Sequence, residues 1–212
     1  MPSTPNTSTL VKNMERHGFS VRPDVLEKFE VYEELLLKWQ KAINLVGPST
    51  LDDVGSRHFF DSAQMFRYIP DIDVKLVDLG SGAGFPGLVL SLLGVRETHL
   101  VESDVRKATF LREVVRQTGA AVTVHDKRVE DCTIENIDVI TARALAPLRD
   151  LLGYMYKLAT PGHAIYGVFA KGLTYHDEVE KAQKQWDFDL EVFPSETDIA
   201  GKILRITNLK QK

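Results

Sequence analysis

One segment holds most of the chemistry this sequence offers: Val77-Asp78-Leu79-Gly80-Ser81-Gly82-Ala83-Gly84-Phe85-Pro86-Gly87. An apolar run enters a glycine cluster and leaves it at Pro86, which fits a first helical position, where a missing N–H is no loss. Glycines let the main chain turn sharply and approach a ligand closely, and such a turn presents backbone N–H groups at a helix start. The pattern predicts a site for a nucleotide-type cofactor. The spacing Gly82-x-Gly84-x-x-Gly87 also fits the dinucleotide fingerprint, with Glu102 following Gly82 by 20 residues. Spacing alone therefore leaves NAD(P) and S-adenosylmethionine both open. Asp78 favours the second, because a carboxylate two residues before Gly80 attracts a cationic amino-acid end and repels a pyrophosphate.

Two further acids fit the same ligand. Glu102, in Leu100-Val101-Glu102-Ser103, reads as an acceptor for ribose hydroxyls with either cofactor. Glu130, in Arg128-Val129-Glu130-Asp131, follows the third strand expected of the fold and reads as a contact to an adenine edge. Arg143 stands just after another expected strand, at the rim where open α/β sheets bind ligands, and can reach cofactor, phosphate or a guanine O6. His58 and Asp61 are three apart on one helix face and can meet each other or a ligand. Lys41, Arg57, Lys107, Lys171 and Lys202 are candidate phosphate contacts, with solvated surface as the ordinary reading of each. Phe85 reads as packing beneath the cofactor. The six histidines are scattered without a His-x-x-x-His pair, so no metal is expected.

These residues need a scaffold, and the hydrophobic pattern supplies one. After Pro23 and Asp24, apolar residues recur at Val25, Phe29, Tyr32, Leu36, Trp39 and Ile43, one face of a helix, with Tyr32 and Trp39 read as core. A second helix is expected from about Ser56 to Tyr68, stopped by Pro70. From Val74 the pattern alternates. Strands are expected at Lys75 to Leu79, His99 to Val101, Ala121 to Val124, Val139 to Ala142 and Ala164 to Ala170. Helices fit between them near Pro86 to Leu93, Asp104 to Thr118, Pro147 to Ala159 and Tyr175 to Trp186. Strands at Asp187 to Phe193 and Lys202 to Ile206 close the chain. The expectation is an α/β fold: a mostly parallel seven-stranded sheet with helices on both faces, at 74–212, and an N-terminal helical extension at 1–73 packed on it. Met1 to Thr9 reads as a floppy tail.

The composition is that of an ordinary folded protein, 43% hydrophobic and 26% charged. A single cysteine, Cys132, excludes an intrachain disulfide and suits a reducing, cytoplasmic home. The apolar stretch near Leu88 to Val95 falls far short of the roughly 20 residues that span a bilayer, so no membrane insertion is expected. A net charge of −4 gives no bulk attraction for nucleic acid, and residues 1–73 carry 8 Lys/Arg against 11 Asp/Glu, so any RNA-binding patch must be local.

Taken together, the chain resembles the bacterial small-subunit ribosomal RNA guanine-N7 methyltransferases, the RsmG or glucose-inhibited division protein B family. The resemblance covers most of the chain. It rests on Lys41-Ala42-Ile43-Asn44-Leu45, His58-Phe59-Phe60-Asp61-Ser62, the Asp78 to Gly87 turn, Lys107 with Phe110-Leu111, Asp138-Val139-Ile140-Thr141-Ala142-Arg143-Ala144 with Pro147-Leu148, and Lys171-Gly172. Val46-Gly47 stands where many relatives have Thr-Ala, and Glu102 where others have Asp. The resemblance implies a Rossmann-like methyltransferase fold holding S-adenosylmethionine with Gly80, Phe85, Val129, Glu130 and Arg143, while the wider superfamily adds Gly82, Asp78 and Glu102. The substrate it implies is N7 of one guanine of 16S ribosomal RNA, guanine 527 of the 530 loop, in the RNA, the small subunit or its assembly intermediate, with the enzyme as a monomer. Since N7 attacks with a free lone pair, no catalytic general base is expected. A methyltransferase for another substrate and an NAD(P)-binding oxidoreductase are the competing classes.

Overall fold

The computed structural model describes residues 5–212. Near-continuous apolar runs such as that in β1 (Lys75–Leu79) mark strands buried on both faces, and these assemble as expected. Beside β1 lie β2 (Glu97–Val101), β3 (Val122–His125), β4 (Val139–Arg143), β5 (Tyr166–Lys171), β6 (Trp186–Pro194) and β7 (Lys202–Gln211). They form one seven-stranded sheet in the order β3-β2-β1-β4-β5-β7-β6. β1 to β5 are mutually parallel, and β7 runs antiparallel to both β5 and β6. The order reverses between β1 and β4, so the carboxyl ends of those two strands flank the switch-point crevice where open α/β sheets take ligands. Gly80 follows one strand and Arg143 ends the other.

The helices are α1 (Pro5–Arg16), α2 (Pro23–Gln40), α3 (Asp61–Ala63), α4 (Gly87–Leu92), α5 (Val105–Thr118), α6 (Leu148–Leu158) and α7 (Tyr175–Ala182). Local sequence explains α5 well: Asp104 caps its start by accepting from the Arg106 and Lys107 N–H groups, and Gly119 ends it in the left-handed region at φ 63°. One face of the sheet is covered by α4 and α5, against which the N-terminal helices bury Leu10, Phe29, Tyr32, Leu36 and Phe59. The other face is covered by α6 and α7 through Leu148, Leu151, Leu152, Met155 and Val179. Of the expected stripe on α2, Val25, Phe29, Tyr32 and Leu36 are buried, while Trp39 and Ile43 are partly buried at the edge of the same cluster.

Three readings of the sequence change. Pro5 to Thr9 are helical as the start of α1, and the remainder of the expected tail lies outside the described residues. Trp186 does not end α7 but begins β6, where its ring is buried. The helix expected at Ser56 to Tyr68 is a composite: a tight three-residue-per-turn segment Pro48–Asp53, a wide π turn Gly55–Phe60, α3, and a second tight segment Gln64–Tyr68. The π turn buries Phe59 and Phe60 while His58, between Arg57 and Phe59, meets Arg143. Such turns recur at functional sites because they re-aim side chains without ending the helix.

The N-terminal helices clamp the glycine turn directly. The Tyr32 hydroxyl, fully buried, donates to the Ala83 carbonyl. Gly84 sits at φ 100°, and a Cβ there would lie 2.5 Å from the Tyr32 hydroxyl and 3.0 Å from Leu88 Cβ. Gly84→Ala is therefore expected to cost about 2 to 4 kcal/mol, combining backbone strain with overpacking. Urea unfolding checks this, and a midpoint equal to wild type would refute the clamp.

Candidate active site

Around Gly80 the chain turns at φ 64°, and the following N–H groups are spent inside the turn. Ser81 N–H donates to Val101 O, Gly84 and Phe85 N–H to Ser81 O, and Gly82 N–H to Glu102 Oε2 at 2.8 Å. The sequence predicts outward-pointing amides, and the structure shows these four engaged. The turn is therefore no cradle for a pyrophosphate, which removes the main physical support for the dinucleotide reading.

The acids hold this turn. Glu102, only 7% exposed, accepts from Gly82 N–H with one oxygen and from Asp104 N–H at 2.7 Å with the other. Asp78 is fully buried and lines no cavity, so the direct ligand contact read from sequence is replaced by a role under the turn. Its register opposite Thr141 lets that hydroxyl donate to Oδ1 at 2.8 Å. Burial pushes the Asp78 carboxyl up to about 6, with the Thr141 bond pulling the other way. Its Oδ2 is buried without a donor at ordinary hydrogen-bond geometry, while Ser81 and the Gly87 N–H beside the carboxyl also pull its pKa down.

Arg143 organises the opposite wall. Its Nη1 donates to Asp61 Oδ2 at 2.9 Å and to Arg57 O at 3.2 Å, its Nη2 lies 3.0 Å from His58 Nδ1, and its guanidinium carbon is 5.0 Å from the Phe85 ring centre. His58 and Asp61, read from sequence as possible partners of each other, instead converge on Arg143. Phe85 is sandwiched between His58, at 5.1 Å, and Tyr32, at 5.6 Å, both nearly parallel to it. It packs as expected, yet its ring still borders the cleft.

Hydrogen-bond logic fixes the state of His58. Arginine has only donors, so Nδ1 must accept and the proton sits on Nε2, which faces Thr50 Oγ1 at 2.7 Å. Burial, and then the Arg143 charge, lower its pKa to about 4. Because the folded value lies below the ordinary 6.5, this tether's contribution to stability is complete above pH 6.5 and is lost as pH falls through about 4. NMR titration of the His58 ring should give a midpoint near 4, and a midpoint near 6.5 would contradict the tether.

Two cavities meet at Gly80. The larger, about 380 Å³, is bordered by the glycine turn, Phe85, His58, Arg143 and the Leu45-Val46 loop. The smaller, about 110 Å³, is bordered by Val129, Glu130, Ser103 and Tyr154, with Leu145 as its lid. Leu145 also leans over Gly80, whose Cβ would lie 2.4 Å from Leu145 Cδ1. Glu130 faces solvent; hydrogen bonds to its carboxylate, from its own backbone N–H and then from the Tyr154 hydroxyl at 2.8 Å, hold its pKa below the usual carboxylate range. Thus Gly80, Gly82, Phe85 and Arg143 border the larger cavity, Gly80, Val129 and Glu130 the smaller one, and Asp78 and Glu102 support the turn from behind.

Of the candidate phosphate contacts, Arg57, Lys171 and Lys202 border the crevice, and Lys41 and Lys107 border none of its cavities. Lys171 is a structural residue: its side chain is 8% exposed and its ammonium bonds Glu178 and Ala146 O, both at 2.7 Å, and so braces the chain between Arg143 and α6. Sequence reasoning missed Thr50, in the tight segment Pro48–Asp53, and Thr197 and Asp198, in a loop, which border the larger cavity from stretches lacking any motif. Among the described residues no cluster suits a metal ion, and no helix is long and apolar enough to cross a membrane.

Known proteins match this arrangement at two levels. Solved structures share the fold at low identity. A SAM-dependent methyltransferase from Aquifex aeolicus aligns with TM-score 0.56 and 16% identity over 81% of this chain and 97% of its own. A TYW2 protein from M. jannaschii, in complex with AdoMet, aligns with TM-score 0.56 and 13% identity over 73% and 76%. Sequence relatives are much nearer. A ribosomal RNA small subunit methyltransferase G from Rhodospirillum centenum is 51% identical over 91% of this chain and 88% of its own, and one from Paramagnetospirillum magneticum is 47% identical over 90% and 92%. The model of the GidB family, described as rRNA small subunit methyltransferase G, matches residues 25–200. The fold is thus the Rossmann-like methyltransferase fold, and the chain belongs to the rRNA small subunit methyltransferase G family.

Proposed function

We propose that this protein methylates N7 of one guanine in bacterial 16S ribosomal RNA, the position 527 guanine of the family resemblance, with S-adenosylmethionine as donor. The observation that carries the choice of cofactor is the glycine turn, whose engaged amides and supporting acids suit a cationic ligand and oppose a pyrophosphate. The larger cavity fits the amino-acid and sulfonium end, bounded by Gly80, Gly82, Phe85 and Arg143, with the Asp78 carboxyl supporting the turn beneath it. The smaller fits the adenosine end, with Val129 and Glu130 at the base edge and Glu102, through its remaining lone pairs, toward the ribose.

The cofactor supplies an electrophilic methyl on a sulfonium. The chain's residues then need only to position the acceptor, since guanine N7 carries a free lone pair and no proton must leave first. Arg143, fixed by His58 and Asp61 at the mouth of the cavity, orients the acceptor, and Phe85 and the Leu45-Val46 loop exclude water. Holding two reactants in attack geometry can itself lower a barrier by several kcal/mol. Residues 1–73 serve as the extension that clamps the turn from outside the sheet. In this reading the protein acts as a monomer in the cytoplasm, on the small subunit or its precursor.

Calorimetry separates the classes. S-adenosylmethionine should bind with a one-to-one stoichiometry while NAD(H) gives no heat, and small subunits from a strain lacking this gene should take label from S-adenosylmethionine. NAD(H) binding, or cofactor binding with unlabelled subunits, would overturn the proposal.

A further inference from the structure

A second large cavity, about 430 Å³, opens beside the cofactor crevice between the carboxyl ends of β4 and β5 and the loop of residues 195–201. It shares Asp61, Arg143, Ala144 and Asp198 with the larger cofactor cavity, so an acceptor seated in it abuts the reacting methyl. That volume lies within the range that takes small ligands and accommodates a purine base.

Its charged residues divide sharply by what they already hold. Asp61 accepts from Arg143, Gln64 and Thr197. Lys171 and Glu178 bond each other, and Glu178 also accepts from Leu148 N–H. Among the described residues the Lys202 ammonium, also on this wall, makes no hydrogen bond or ion pair, and of the acids Asp198 is different. Its Oδ1 accepts only from Ala200 N–H, at 2.9 Å, its Oδ2 has no hydrogen-bond partner among the described residues, and its own carbonyl, accepting from Gly201 N–H, steadies the loop. Beside it Ile199 is 99% exposed, and Leu173, just after Gly172 of the cavity wall, is 78% exposed.

Resting on the proposed RNA reading, we infer that this cavity receives the target guanine extruded from its RNA loop and that Asp198 is the residue that reads it. A base delivered for chemistry is recognised by its Watson–Crick edge. In guanine that edge presents N1–H and the N2 amino group side by side, two donors that a carboxylate accepts together. Ring order then fits the walls: N7 faces the cofactor cavity, and O6, then N1 and N2, follow along the shared wall that carries both Arg143 and Asp198. Adenine would place the N1 lone pair against the carboxylate and be rejected. Asp198 is a specificity-determining residue here, without any part in bond making.

The test uses small subunits reconstituted on 16S RNA in which the target guanine is replaced by inosine, which keeps N1–H and N7 but lacks the N2 amino group. For wild type, inosine should lower kcat/KM at least about tenfold, since one good base contact is worth that much discrimination. For Asp198→Ala, kcat/KM on guanine should fall by at least about tenfold, and inosine should cost almost nothing more. The thermal midpoint should match wild type, affinity for S-adenosylmethionine is measured beside it because Asp198 also borders the cofactor cavity, and Asp198→Asn, which keeps the Ala200 contact, should show the same loss of discrimination. Full activity in Asp198→Ala, or an unchanged inosine penalty, would overturn the inference. A wild-type protein that fails to methylate the guanine RNA would instead overturn the RNA reading beneath it.

Discussion

Gly80→Asp should abolish cofactor binding while the protein remains folded. Gly80 sits at φ 64°, where aspartate is among the few side chains tolerated, so the turn itself survives. The added side chain projects where Leu145 now leans, at the junction of the two cavities, and occupies the narrowest part of the proposed cofactor path. Affinity for S-adenosylmethionine should fall at least about a hundredfold, roughly 2.7 kcal/mol. Calorimetry with the variant, alongside circular dichroism to verify the fold, reads this directly. Binding within a few-fold of wild type would place the cofactor elsewhere.

Arg143→Ala should lower methyl transfer by about a hundredfold, an effect of the size expected when an orienting group is lost from a reacting pair. The same change leaves the Asp61 carboxylate, whose side chain is 21% exposed, without its cation and with only Gln64 and Thr197 as donors, and removes the cation above Phe85. A stability loss of about 1 to 3 kcal/mol is expected, below that of a fully buried pair because both partners retain some water. Arg143→Lys should restore little, since a single ammonium cannot reach Asp61, His58 and the Arg57 carbonyl together. Single-turnover rates together with urea midpoints separate the two effects. A lysine variant with full activity would show that charge alone suffices.

Much of this was legible in the sequence where local pattern and tertiary demand agree. β1 ends where the apolar run ends, at Leu79, and the capping Asp104 and terminating Gly119 bound α5 within a residue of its periodicity. The glycine turn was legible for the same reason, because the left-handed backbone at Gly80 and Gly84, and the crowding any Cβ would meet at Gly84, favour glycine. What stayed hidden depends on long-range partners. Asp78 looks like a ligand contact until its pairing with Thr141 shows it buried, and Glu102 looks like a free acceptor until the turn folds back onto it. The convergence of His58 and Asp61 on Arg143 joins positions more than 80 residues apart, beyond any helical spacing rule. The helix at Pro5 to Thr9 has a polar sequence and owes its place to the cluster that buries Leu10 and Met14. Asp198 lies in a loop whose composition signals only a turn.

The most direct test of the central claim maps the methyl group. Small subunits from a strain lacking this gene are incubated with the protein and labelled S-adenosylmethionine, and their 16S RNA is cleaved chemically at N7-methylguanine. A single new cleavage, at one guanine in the loop near the decoding centre, is the predicted result. Label in the RNA without such a cleavage, or label in ribosomal protein alone, would contradict it.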